Sequence, residues 1–186
     1  MQMYRREHYL AKLRPFYDDA GLIKVVTGIR RCGKSSLLCS VMDELRERGV
    51  SEGDICYINL DRREYQDVNT PEKLDAVIEH SLGKSASMRY LFIDEIQNVK
   101  GYETIVNGWR EEGDCSIFIT GSNSYLLSGE LATKLTGRYI ELEMFTLSFN
   151  EYLGMREYLG LPKKPESQVF QEYLIYGGFP KALEYE

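Results

Sequence analysis

Residues Gly28-Ile29-Arg30-Arg31-Cys32-Gly33-Lys34-Ser35 satisfy the spacing G-x-x-x-x-G-K-[ST] and follow directly on the apolar run Leu22 to Thr27. Each residue type has a physical reason. The glycines let the backbone wrap closely enough for successive N–H groups to face phosphate oxygens. A helix that starts near Lys34 and runs through Ser36 adds the positive end of its dipole. Lys34 then reaches the β- and γ-phosphates of a nucleotide, and the Ser35 hydroxyl is placed to ligate Mg²⁺. A second cluster, Asp94-Glu95, follows the apolar run Leu91-Phe92-Ile93. In that pairing Asp94 holds the metal shell and Glu95 polarises a water for attack on the γ-phosphate. A third, Thr120-Gly121-Ser122-Asn123, offers small polar side chains between loop and acids, and Ser122 or Asn123 could equally cap a following helix.

These groups converge only if strands and helices alternate. LIKVVT (22–27) reads as a buried strand, and from Lys34 the positions Leu37, Leu38, Val41 and Leu45 recur at helical spacing up to Gly49. ICYINL (55–60) is a second strand. Thr70 caps a helix with Pro71 at its first position and Leu74, Val77, Ile78 and Leu82 on one face. YLFI (90–93) is the third strand, Ile105, Val106 and Trp109 mark a short helix closed by Gly113, and SIFIT (116–120) is the fourth strand. A helix bearing Leu126, Leu127, Leu131 and Leu135 follows. In YIELEMF (139–145) Ile140, Leu142 and Met144 alternate with Glu141 and Glu143, the pattern of an edge strand with one wet face. The alternation indicates an α/β fold with a doubly wound, mainly parallel sheet. After Thr146 the pattern turns helical, and the tyrosines at 152, 158, 173 and 176 are expected in the core of that part.

Composition narrows the function classes. The 186 residues carry 23 Lys/Arg against 29 Asp/Glu, a net charge of −6, with 43% hydrophobic residues. This is the profile of a globular domain that needs no disulfide or structural metal to hold a core. No apolar run has membrane-spanning length and the start carries no secretory signal, so a cytoplasmic location without membrane partners is expected. Cys32, Cys39, Cys56 and Cys115 form no C-x-x-C pair. The charge divides unevenly: residues 1–93 carry +1 and residues 94–186 carry −7, which makes the second half a poor non-specific binder of nucleic acid. Arg5, Arg6, Lys12, Arg14, Lys24, Arg30 and Arg31 crowd the front of the chain, where an anionic ligand or partner could be met, unless Arg5 to Arg14 form only a solvated charged face. A phosphotransferase is disfavoured by the water-activating Asp94-Glu95 pair, and GTP by the lack of N-K-x-D after the fourth strand.

The stretches GIRRCGKSSLL (28–38), LFIDEIQNV (91–99), IFITGSN (117–123), LTGRYIELEMFTLSFNEYL (135–153) and YGGFP (176–180) resemble the P-loop ATPases of the AAA+ superfamily. Within it they are similar to the archaeal and bacterial AAA ATPases near the STAND signalling group, in order along nearly the whole chain. The resemblance implies a three-layer αβα sandwich of the P-loop NTPase type, its five-stranded parallel sheet in the order 5-1-4-3-2, and a partial helical lid. Gly28 to Ser35 would be Walker A, Asp94 and Glu95 Walker B, and Ser122 or Asn123 sensor 1. Arg138 would be an arginine finger reaching a neighbouring subunit in a homo-oligomer, unless it only ends a helix. Gly178 and Pro180 resemble a lid motif packed near the adenine, and Arg6-Glu7 the segment that flanks the base. The expected division is a core over 1–146 and a partial lid over 147–186, ending before a C-terminal domain that could supply nucleic-acid contacts. The expected activity is Mg²⁺-dependent ATP hydrolysis driving a conformational step; the alternative is a nucleotide-binding switch with little hydrolysis.

Overall fold

The computed structural model of the chain describes residues 3–82, 88–122, 135 and 137–185. Five parallel strands form one sheet: β1 (Ile23–Gly28), β2 (Ile55–Asn59), β3 (Arg89–Asp94), β4 (Cys115–Gly121) and β5 (Tyr139–Met144). Their spatial order is β2-β3-β4-β1-β5, so β1 lies between β4 and β5 and the expected order is found. This is the α/β P-loop NTPase arrangement. The three inner strands are buried along their whole length, whereas β2 and β5 at the edges are only partly so.

The two faces of the sheet carry separate apolar layers, because successive side chains on a strand point to opposite sides. Leu91 and Ile93 of β3 and Ile117 and Ile119 of β4 pack with Leu74 and Ile78 of α3 (Pro71–Ser81) and Val106 and Trp109 of α4 (Tyr102–Glu112). Phe92 and Phe118 project to the other side and stack at 4.6 Å beneath α1 (Glu7–Leu13) and α2 (Lys34–Glu47). Burying each such phenyl ring contributes about 2–3 kcal/mol. Lys24 interrupts the apolar run of β1 yet is wholly buried. Its ammonium spends three donors on the Asp19 carbonyl (2.6 Å), the Leu22 carbonyl (2.9 Å) and the Ser116 hydroxyl (2.7 Å).

Local signals set the helix ends. Thr70 Oγ1 accepts from the Lys73 N–H, and Gly49, at φ 90°, lets the Val50 N–H return to the Leu45 carbonyl (3.0 Å) as α2 stops. Residues beyond Thr146 form α5 (Phe149–Tyr158) and α6 (Glu166–Tyr176) around a third cluster of Leu147, Tyr152, Val169 and Leu183. Ser148 and Glu151 close a capping box at the start of α5. The tyrosine stripe divides, contrary to expectation: Tyr152 is buried and Tyr173 packs against the cluster, but Tyr158 and Tyr176 are exposed. Tyr176 ends α6, which buries only Val169 and leaves its far side open, and Tyr158 is the last residue of α5. Asn123 and the leucines at 126, 127 and 131 lie outside the described residues, while Leu135 joins the core. Among the described residues no helix is long and apolar enough to cross a membrane.

Candidate functional site

The loop between β1 and α2 is held against the end of β5. Gly28 has φ 147°, and a Cβ there would lie 2.4 Å from the Met144 carbonyl oxygen, so any side chain at 28 displaces the loop. Gly33, at φ 108°, opens α2, whose first turn receives no side-chain cap. Glycine offers the leading N–H groups of this helix no side-chain oxygen of the kind that Thr70 and Ser148 give to α3 and α5. Ile29, Arg30 and Arg31 are exposed on the loop and Cys32 is buried under it, its thiol pushed up by that burial. Ser35 is half-buried at the second position of α2, and Ser36 is exposed at the third. Lys34 is buried, and its Nζ donates to the Gly28 carbonyl at 3.0 Å and the Ile29 carbonyl at 3.4 Å.

The two acids stand at the carboxyl end of β3, across from that lysine. Glu95 Oε1 lies 3.6 Å from Lys34 Nζ, and Glu95 Oε2 accepts from Gln97 Nε2. Asp94 is fully buried, yet each of its oxygens has a donor. Oδ2 accepts from Tyr57 Oη (3.0 Å) and Asn59 Nδ2 (3.1 Å), and Oδ1 accepts from the Thr120 hydroxyl. Burial and the Asp94 carboxylate push the Tyr57 phenol well up, so it stays a donor. Thr120 belongs to the small polar cluster expected between the loop and the acids, whereas Tyr57 and Asn59 carry no such signal in the sequence. Their spacing to Asp94 shows only once β2, β3 and β4 are placed side by side; the available signal is that each lies at the carboxyl end of a strand.

Ser122 follows the last residue of β4 and is half-buried, whereas the side chain that reaches the acids is Thr120, two residues earlier. Arg138 precedes β5, at the amino end of the sheet. β1 and β5 stay in register from Ile23 opposite Tyr139 to Gly28 opposite Met144, which separates Arg138 from its own phosphate loop by roughly 15–20 Å at ~3.3 Å per residue. There Arg138 Nη1 donates to Asn107 Oδ1 (3.2 Å) and lies 3.8 Å from Glu111 Oε1.

Gly178 packs on the chain leaving β5. A Cβ there would meet the Leu147 carbonyl at 2.2 Å, and the Leu147 N–H donates to the Gly178 carbonyl at 2.7 Å. Pro180 lines a cavity of about 460 Å³ beside the start of α2, together with Tyr4, Gly33, Ser36, Leu37 and Tyr158. The basic residues near the start are turned inward or onto acids: Arg5 pairs with Glu47, Arg14 with Glu7 and Glu44, and buried Arg6 with Glu151. Arg5, Lys12 and Arg14 thus lie on a solvated charged face, as one of the two readings expected, and only Arg6 is buried.

A central strand feeding a glycine loop, with two acids at the end of a nearby strand of a 2-3-4-1-5 sheet, defines a domain of the AAA+ class with the P-loop NTPase fold. Residues 21–153 match the family described as AAA domain, and the chain belongs to that family. An uncharacterized protein of Haemophilus influenzae is 41% identical over 181 residues, which are 97% of this chain and 45% of that protein. An uncharacterized protein of Methanocaldococcus jannaschii is 32% identical over 165 residues, 86% of this chain and 36% of its own length. The chain thus spans less than half the length of these two relatives. AMPPCP-bound DnaA from Aquifex aeolicus superimposes with a TM-score of 0.61 over 99% of this chain and 60% of its own, at 15% identity, a likeness of fold alone.

Proposed function

We propose that the chain binds ATP with Mg²⁺ and hydrolyses it, as the motor part of a longer protein. The observation that carries this reading is the meeting of Lys34 and Glu95 at 3.6 Å beside the uncapped start of α2. The donor set suits the ligand: the N–H groups of a helix start without a side-chain cap and a lysine for phosphate oxygens, a serine hydroxyl and a buried carboxylate for a hard cation. Ser35 and Asp94 would hold Mg²⁺, which when bound neutralises charge on the phosphates. Lys34 exchanges the Gly28 and Ile29 carbonyls for phosphate oxygens, and Gly28 to Ser36 cradle them. That exchange draws Lys34 from Glu95 and frees the carboxylate to take a proton from water. Ser122 or Asn123 contacts the γ-phosphate, Gly178 and Pro180 carry the lid near the base, and Arg138 acts on a neighbouring copy. Residues 1–146 work as the core and 147–186 as part of a lid, in a cytoplasmic protein. Nucleic acid, if a partner, would be met through chain outside these residues.

The test is nucleotide binding and phosphate release by wild type, Lys34→Ala and Glu95→Gln. Wild type is expected to bind and release phosphate, Lys34→Ala to lose binding, and Glu95→Gln to bind without release. A second reading, a nucleotide-binding switch with little turnover, is favoured by the engagement of Glu95 with both Lys34 and Gln97. It prevails if wild type binds ATP but releases no more phosphate than Glu95→Gln.

A further inference from the structure

Arg6, just before α1, joins several segments around the site. It is 7% exposed and all five of its N–H donors are engaged. Nε and Nη2 fork onto the Glu151 carboxylate, both at 2.8 Å. Nη1 donates to the Cys32 carbonyl in the phosphate loop (3.2 Å) and to the Phe145 carbonyl (2.8 Å), and Nη2 also reaches the Thr146 carbonyl (3.2 Å). The guanidinium lies 4.5 Å from the centre of the Tyr9 ring, and the Tyr9 hydroxyl accepts from the Phe145 N–H at 3.1 Å. Glu151 in turn closes the capping box of α5, accepting from Ser148 N–H at 2.9 Å. One planar cation therefore touches three segments: the phosphate loop, the exit of β5 and the first turn of the helix that follows it. A forked arginine with every donor spent has one seating, so moving any of these acceptors disturbs the others.

We propose that Arg6 is a positioning residue that couples the seating of α5 to the phosphate loop through the Cys32 carbonyl, so that nucleotide at the loop and the docked helix favour each other. The nucleotide half of this statement rests on the function proposed above; the mechanical half does not. Glu151→Gln is the cleanest perturbation, since glutamine keeps the capping box while replacing the carboxylate that holds the fork. By linkage, a contact that favours the docked helix and is strengthened by nucleotide must also strengthen nucleotide binding.

The experiment measures amide exchange by NMR without nucleotide at Cys32 and Leu37, whose N–H groups bond the Ile29 and Gly33 carbonyls, with Leu74 of α3 as the distant reference. In Glu151→Gln, exchange at Cys32 and Leu37 is expected to rise about tenfold relative to Leu74. An equal rise at all three sites, or none, overturns the coupling, because loss of general stability speeds every site alike. Should Glu151→Gln fail to fold, Arg6→Lys, which keeps the charge and loses the fork, is read in the same way. The second readout is affinity for a fluorescent ATP analogue. It is expected to fall about tenfold in Glu151→Gln and in Arg6→Lys, and no further in the double variant; unchanged affinity in folded variants counts against the coupling. If wild type does not bind the analogue, the proposed function fails and the exchange ratio alone decides the role of Arg6.

Discussion

Thr120 holds the backbone of Glu95: its hydroxyl oxygen accepts the Glu95 N–H at 3.0 Å, where Glu95 takes the left-handed conformation at φ 59°. A glutamate adopts that conformation only where its surroundings impose it, at a cost of roughly 1–2 kcal/mol. The same hydroxyl donates to Asp94. Both acids are thus aimed by one small side chain on the neighbouring strand.

Thr120→Val keeps the shape of the side chain and removes both bonds. The expected loss of stability is about 2 kcal/mol, since one bond is to a charged carboxylate. Phosphate release is expected to drop at least about tenfold, with ATP affinity changed less than about threefold, because the acids and not the loop are disturbed. Binding and single-turnover assays on one preparation check this split; a loss of affinity as large as the loss of rate contradicts it.

Arg138 lies at the far end of β5 from its own loop, so any catalytic action must be on another copy. Mixing Lys34→Ala chains with Arg138→Ala chains is expected to restore phosphate release, by pairing an intact loop with an intact arginine. No recovery at any mixing ratio would confine Arg138 to its bonds with Asn107 and Glu111.

Glu44 anchors α1 to α2. The Arg14 guanidinium donates to it at 2.7 and 3.0 Å and holds its carboxyl below the ordinary value, helped by the Tyr17 hydroxyl at 3.0 Å. A carboxylate whose folded pKa is lowered stabilises the fold above its unfolded pKa of about 4.3. It loses that contribution as pH falls through the folded value. Glu44→Gln is therefore expected to be less stable at pH 7 by about 1 kcal/mol, Arg14 being partly exposed and screened. The stability gap from wild type in denaturant unfolding should close as the pH falls from 7 through the folded value, and a gap that does not narrow with falling pH refutes the ion-pair account.

Two glycines with positive φ separate strain from collision. At Gly49 a Cβ meets nothing within 4 Å, so Gly49→Ala pays only the left-handed backbone, about 1 kcal/mol. At Gly28 the Cβ strikes the Met144 carbonyl, so Gly28→Ala is expected to lose well over about 2 kcal/mol and to abolish ATP binding. Thermal unfolding of the two variants gives the order directly.

Residue spacing alone determined the alternation of strands and helices, the phosphate loop, the paired acids and the wet face of β5. Those features are local: a glycine turn, a period of 3.6 or 2, a threonine or serine cap. Spacing could not place Thr120, Tyr57 and Asn59 around Asp94, because the contacts join strands 26 to 37 residues apart in sequence. Nor could it foresee that Lys24 is buried, or that Arg6 turns inward to the Cys32 carbonyl and Glu151. Strand order decides which polar ends lie side by side, and a long cation can be buried only where folded carbonyls and carboxylates satisfy its donors. Those acceptors exist as a set in the tertiary structure and nowhere in the linear chain.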